Sequence, residues 1–260
     1  MNPALVLSSI LSSLVDLKTG KIRVPGIYDK VVDLTPLERE SFKTYPVPEK
    51  VELDAFNVSH PFGEHDYTVR ERQFARPTLD VIGMKSGYIG DGFKGIIPAS
   101  SHAKINLRLV PDMEPEEALG LLCNFILSKQ ADFPGVRIEV TKMTFQAKPF
   151  GVRNIEQSQI TKSLEYALKD LYGANKTIPL HKMGGSIPIV SYMDDHLAHP
   201  DLAFLSLVSP SSMIHAPNEN IKVQNLMNTA KAVIIVVEDL FKLPEEPKKK
   251  PLKKQTKEEL

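Results

Sequence analysis

An α+β fold is predicted for the first 150 residues, and three stretches predict it: an amphipathic helix at the start, a strand of strictly alternating polarity at 103–111, and a second amphipathic helix from Pro115. Beyond residue 150 the pattern changes to longer helical periods broken by loops, so a second structural unit is expected there.

The elements follow in order. Asn2 is a good N-cap and Pro3 a good first helical residue, after which Leu7, Ile10, Leu11, Leu14 and Val15 recur at helical spacing. Residues 26–76 are rich in Pro, Tyr and charge with only short apolar runs, which predicts an extended, loop-rich excursion. LDVIGM at 79–84 reads as a strand. In AKINLRLVP at 103–111, Ala103, Ile105, Leu107 and Leu109 alternate with Lys104, Asn106 and Arg108, the mark of a half-buried strand with Arg108 on its polar face. Ala118, Leu121, Leu122, Phe125 and Ile126 line one face of the helix from Pro115, and RIEVTKMTF at 137–145 predicts another strand.

The later unit is predicted to hold a helix on Ile160, Leu164, Ala167, Leu168 and Leu171, a Gly-Gly turn, a strand at 203–208, a loop around His215 and a final apolar segment at 221–241. That last segment contains AVIIVV, whose β-branching favours a strand; its length and the flanking Leu226 and Met227 favour a buried helix, and helix is the reading adopted. Residues 244–260 carry six lysines, four glutamates, three prolines and only two leucines, too little apolar surface to offset ordering, so a disordered tail is expected.

Composition excludes several function classes. The 32 basic residues balance 32 acidic ones, so no global field recruits nucleic acid or an anionic membrane. The single cysteine, Cys123, sits among leucines and reads as a buried thiol, which fits a reducing, cytoplasmic setting. The apolar stretch at 4–15 has no basic flank and no cleavage pattern, and about 12 residues are too short to span ~30 Å as a helix; no targeting segment or membrane span is expected.

Candidate motifs are weighed against their context. GDGFKG at 90–95 matches GxGxxG, but Ile96, Ile97 and Pro98 follow where a helix would have to receive a pyrophosphate, so a glycine loop between strands is favoured. Glu116 and Glu117 open a helix, where acidic side chains offset the macrodipole. His199 and Asp201 have HxD spacing in a loop without a glutamate-rich partner and read as surface. His215 stands apart, following a strand, a serine-rich turn and preceding the stiff Pro217. A zinc site needs about four ligands, however, and spacing supplies one convincing candidate.

Set side by side, NPALVLSSILSSLVDLKTGKIRVPGIYD, RPTLDVIG, GYIGDGFKGIIPASSHAKINLRLVPDMEP, GGSIPI and HAPNEN resemble the co-catalytic zinc exopeptidases of the carnosinase, cytosolic nonspecific dipeptidase and aminoacylase type, in order and approximate spacing. The resemblance implies an α+β lid, a ferredoxin-like two-layer sandwich with its first strand missing, at 1–150. The C-terminal part of an α/β zinc-peptidase catalytic domain follows at 151–243, and the tail at 244–260. It places His215 on a metal-ligand histidine, Arg108 on the arginine that holds a substrate carboxylate, and Gly185 and Ser186 on a substrate-contacting turn. Zinc is the implied cofactor, two ions in the family, with at most weak binding here. A dipeptide-like substrate and a homodimer or heterodimer through the lid are the implied partners, with no nucleic acid and no membrane.

Counterparts of the family's HxD pair, bridging aspartate, Glu-Glu pair, further acidic ligand and lid histidine are not found among these 260 residues. Gly95 stands where the family has threonine, and Lys182-Met183 where it has Arg-Glu. The sequence therefore predicts a truncated relative of a dinuclear zinc dipeptidase, inactive alone. The alternative is a non-catalytic, lid-mediated partner of an intact homologue, and a third reading has the missing ligands supplied by another polypeptide.

Overall fold

The computed structural model of the protein describes residues 1–241 apart from 46, 56, 144–146, 152–154, 156, 176–177, 179–185, 198–199, 207 and 215–216. The chain divides into two compact units, residues 1–155 with 179–202, and residues 156–178 with 203 onward.

In the first unit, helix α1 (Pro3–Leu14) starts where the sequence places it, with the Asn2 side chain accepting a hydrogen bond from the Ala4 N–H at 2.9 Å. Val6, Ile10 and Leu14 form its buried stripe. The chain then reverses through a turn in which Val15 pairs with Ile22, burying Ile22, Val24 and Ile27 behind the helix. Strands β1 (Thr78–Ser86) and β2 (Ser101–Arg108) form an antiparallel hairpin with Thr78 opposite Arg108 and Ser86 opposite Ser101. A bulge between Val81 and Gly83 leaves Ile82 without a register partner, and its side chain is exposed.

Helix α5 (Pro115–Ser128) adds Ala118, Leu122, Cys123 and Ile126. All but Cys123 join one cluster with α1, Leu79 of β1 and the half-buried Ile105 and Leu107 of β2. Each fully buried Leu or Ile of that cluster contributes roughly 1.5–3 kcal/mol relative to an exposed side chain, so this layer of two helices on one hairpin face is the main source of the unit's stability.

Two expectations need correction. The 26–76 excursion is not merely extended: it contains helices α2 (Pro36–Lys43), α3 (Glu49–Ala55) and α4 (Val69–Ala75). Helices α2 and α4 are each closed by a capping box, Thr35 with Glu38 and Thr68 with Glu71, which supplies the hydrogen bonds that short helices otherwise lack. Their contact is a small cluster of Leu34, Phe42, Phe74 and Ala75, with the Phe42 and Phe74 rings stacked at 6.1 Å.

The predicted strand at 137–145 has the right alternation but no ladder. Val136, Ile138 and Val140 are half-buried against the main cluster while Arg137, Glu139 and Thr141 are exposed, yet none of residues 136–143 pairs with a strand. A strand exists only with a neighbour to accept its backbone hydrogen bonds, and among the described residues the sheet has two members. Residues 144–146 of that stretch lie outside the described residues.

Helix α7 (Pro188–His196) also belongs to this unit. It is tied down by the Ser191 hydroxyl, which donates to the Lys148 carbonyl at 2.6 Å, and by Lys148 Nζ, which reaches Asp195 at 3.0 Å and Glu114 at 2.8 Å.

The second unit is built on helices α6 (Gln159–Tyr172) and α8 (Val223–Phe241). Ser158 caps α6 by accepting from the Thr161 N–H, and Gly173 at φ 108° ends it. Ala167 and Ala232, both fully buried, let the two helices approach closely, and Val236, Ile160, Leu164, Leu168 and Leu171 fill in around them. Helix was the right reading of 221–241, but it is not the buried helix expected: within α8 Ala232 and Val236 are buried, whereas the flanking Leu226 and Met227 are exposed. The strand expected at 203–208 is absent among the described residues: 203–206 and 208 carry no ladder, although Leu205 packs on the helix pair. The tail at 244–260 lies outside the described residues.

Candidate functional site

Arg108 ends β2. Along that strand Ala103, Ile105 and Leu107 are half-buried and Lys104, Asn106 and Arg108 are exposed, as the alternation predicts. Directly beyond it Val110 and Met113 are buried, and the Met113 N–H donates to the Val110 carbonyl at 3.2 Å, so the strand end is anchored and the arginine stands on a rigid base. Its guanidinium makes no ion pair or hydrogen bond among the described residues. An exposed planar fork with its donors unengaged can take a carboxylate in two parallel hydrogen bonds.

Ser186 is exposed and lies two residues before Pro188, the first residue of α7. The helix it precedes is held by the Lys148 contacts, and the hydrogen bonds that the Lys148 ammonium donates to Glu114 and Asp195 raise it above the usual lysine range. Gly185 lies outside the described residues.

His215 also lies outside them, but both sides of its loop are described. A 3-10 turn at Pro210–Ser212 is closed by Ser209, whose N–H donates to the Ser212 hydroxyl at 2.9 Å; Ser212 is 1% exposed. Met213 and Asn218 adopt positive φ of 53° and 65°, and Asn220 returns the chain by donating its N–H to the Ser212 carbonyl at 3.0 Å. Ser212 and Asn220 are thus tied to each other by backbone.

The other described histidines are engaged locally. His60 contacts the Ser59 hydroxyl, His102 the Ser100 hydroxyl, and His196 stacks on Tyr192 at 3.8 Å. His65 is exposed, whereas His181 and His199 lie outside the described residues. Among the described residues no three His, Cys, Asp or Glu side chains converge to hold a metal ion, so these residues do not by themselves fit one. GDGFKG lies in the connection between β1 and β2, with no helix after it, as expected.

What the sequence did not reveal is a buried charge cluster in the 26–76 excursion. Arg76 grips Glu64 with two hydrogen bonds of 2.9 Å, the side chains being 11% and 4% exposed, and its guanidinium lies over the rings of Tyr67 and Tyr28 at 4.5 and 4.9 Å. Burial disfavours the Arg76 charge, but the hydrogen bonds and charge of Glu64 outweigh it and leave the group more basic than usual. Burial pushes the Tyr28 phenol up. Both partners are satisfied, and the cluster is a structural clamp. No periodicity announces it.

An antiparallel hairpin backed by α1 and α5, ending in an arginine without an ion pair among the described residues, defines an α+β two-layer unit. The M20 peptidase dimerisation domain matches residues 1–141, and the chain belongs to that family. Over 237 residues it is 26% identical to the Cys-Gly metallodipeptidase of Candida albicans, covering 89% of this chain and 46% of that protein. It is 26% identical over 236 residues to the human Beta-Ala-His dipeptidase, covering 88% and 44%. The M20 family metallo-carboxypeptidase Sso-CP2 of Sulfolobus solfataricus superposes with a TM-score of 0.78 at 26% identity, over 94% of this chain and 53% of that one. The chain thus spans about half the length of the relatives it matches. No helix among the described residues is long and apolar enough to cross a membrane.

Proposed function

We propose that this protein is the dimerisation-domain and C-terminal portion of a zinc-dependent dipeptidase: residues 1–150 form the lid, 151–243 the closing part of the catalytic domain. Arg108 holds the substrate's free carboxylate, Gly185 and Ser186 contact the substrate, and His215 supplies one metal ligand. The remaining ligands and the general base come from elsewhere, so residues 1–260 do not hydrolyse a dipeptide alone. Supporting this reading is the alignment of 88–94% of the chain with dipeptidases and a metallo-carboxypeptidase of which it spans about half.

The test is direct. Purified protein is incubated with zinc and either Cys-Gly or β-Ala-His, and both hydrolysis and bound zinc are measured. No turnover and less than one zinc per chain are expected; stoichiometric retention of two zinc ions with turnover overturns the reading.

A second reading is a non-catalytic subunit that pairs through residues 1–141 with an intact dipeptidase. It is favoured by the apolar side chains exposed along the hairpin, Val81, Ile82, Met84 and Phe93 among them. It calls for co-elution of the two proteins, lost on introducing charge at Ile82.

A further inference from the structure

Helix α7 is held by polar groups. None of its side chains belongs to the apolar clusters formed by the described residues, and its two buried positions are Ser191 and Asp194. Ile189 and Tyr192 are exposed. Asp194 and Asp195 lie in its last turn, where the partial negative charge of the helix end disfavours a carboxylate.

The anchor comes from the segment around Lys148. The Ser191 hydroxyl donates to the Lys148 carbonyl at 2.6 Å, and Lys148 Nζ reaches Asp195 at 3.0 Å and Glu114 at 2.8 Å. Pro149 and Phe150 are buried, and Gly151 passes so close to Pro111 that an added Cβ would fall 2.9 Å from the proline Cβ. The backbone beside Lys148 is thereby pressed onto the turn that follows Arg108. Glu114, in that same turn, is the N-cap residue of α5, yet its side chain makes no capping hydrogen bond; its carboxylate goes to Lys148 instead. One ammonium thus neutralises two carboxylates, one at the start of α5 and one at the end of α7.

Resting on the function proposed above, we propose that Lys148 is a positioning residue for the substrate site: by joining the turn that supports Arg108 to α7, it keeps Ser186 in register with the arginine that takes the substrate carboxylate. Without this cation the carboxylates of Glu114 and Asp195 repel each other, which drives the end of α7 outward. Nine residues of helix make a rod of about 13.5 Å, so a tilt at Asp195 is felt at Ser186, two residues before its start.

The test uses the full 260-residue protein and Lys148→Met, which keeps the length of the side chain and removes its charge. In the variant the α7 amides exchange with deuterium at least tenfold faster while those of α1 and α5 keep their rates, and Lys148→Arg restores protection. By NMR, β-Ala-His shifts the signals of both Arg108 and Ser186 in the wild type, whereas acetate shifts Arg108 alone. Lys148→Met binds the dipeptide at least fivefold more weakly and loses the Ser186 response, while its acetate affinity stays within twofold. Unchanged exchange in α7, no rescue by Lys148→Arg, or undiminished dipeptide binding by Lys148→Met each overturns the proposal. Loss of the acetate response in that variant also overturns it, because the damage then reaches beyond the register of Ser186. If β-Ala-His shifts neither Arg108 nor Ser186 in the wild type, the function assigned to those residues falls and takes the substrate role of Lys148 with it; faster exchange in the variant would then leave only its anchoring of α7 standing.

Discussion

Replacing Arg76 by Met should be among the most destabilising single changes in the protein. The Glu64 side chain is 4% exposed and both its oxygens are held by Arg76 at 2.9 Å. Truncating the arginine leaves a buried carboxylate with neither water nor a counter-charge on that side, which costs about 3–5 kcal/mol. Loss of the guanidinium from the faces of Tyr28 and Tyr67 adds roughly 0.5–1 kcal/mol for each ring. Removing both charges together is a different perturbation, because nothing buried is then left unpaired; Glu64→Leu/Arg76→Met should recover most of the loss. The assay is urea unfolding followed by far-UV circular dichroism, comparing midpoints at constant slope. If Arg76→Met costs less than about 1 kcal/mol, or the double variant is no better than the single one, the pair is not the clamp its geometry describes.

Gly20 sits at φ +72° with an added Cβ falling 2.1 Å from the backbone carbon of Gly63, so Gly20→Ala should cost about 2–5 kcal/mol by combining left-handed strain with overpacking, measured in the same unfolding assay. The hydrogen bond from Arg23 holds the Asp16 carboxyl down to about 2. Because the folded value lies below the ordinary one, the stabilisation is complete above about 3.8 and is lost as pH falls toward about 2; an NMR titration should show this, with Arg23→Gln returning the midpoint upward. Ala232→Leu should cost about 1–3 kcal/mol, since a fully buried alanine sets the spacing of α6 and α8, and Ala167→Gly, which adds no bulk, should be milder.

How much of this was legible in the sequence depended on whether the determining partner lay nearby in the chain. The start of helix α1 was readable to the residue because its cap and first proline are adjacent to it, whereas Val15, counted in its periodicity, is extended and pairs with Ile22. The choice of helix for α8 against its β-branched run succeeded on length, while Leu226 and Met227, the other ground for it, are exposed. Helices α2 and α4 were missed though their signal was present: Thr35 with Glu38 and Thr68 with Glu71 each write out a capping box three residues apart. The strands expected at 137–145 and 203–208 failed for another reason. Alternation reports which side chains are covered, and the backbone partner that makes a ladder is encoded far away. The exposed placement of Arg108 was legible because strand alternation is local; the Glu64–Arg76 clamp was not, because its contacts to Tyr28 and Tyr67 are visible only once the excursion has folded.

The stretch at 136–143 has a peculiar status for anyone probing the protein in solution. Its isoleucine and valine side chains are half-buried while its amides lack sheet partners; the Val136 and Ile138 N–H groups donate instead to the Phe133 carbonyl and the Gln130 side chain, and past them deuterium should enter as quickly as in a loop even where limited proteolysis finds little to cut. The two methods, usually interchangeable reports of order, should disagree over residues 139–143.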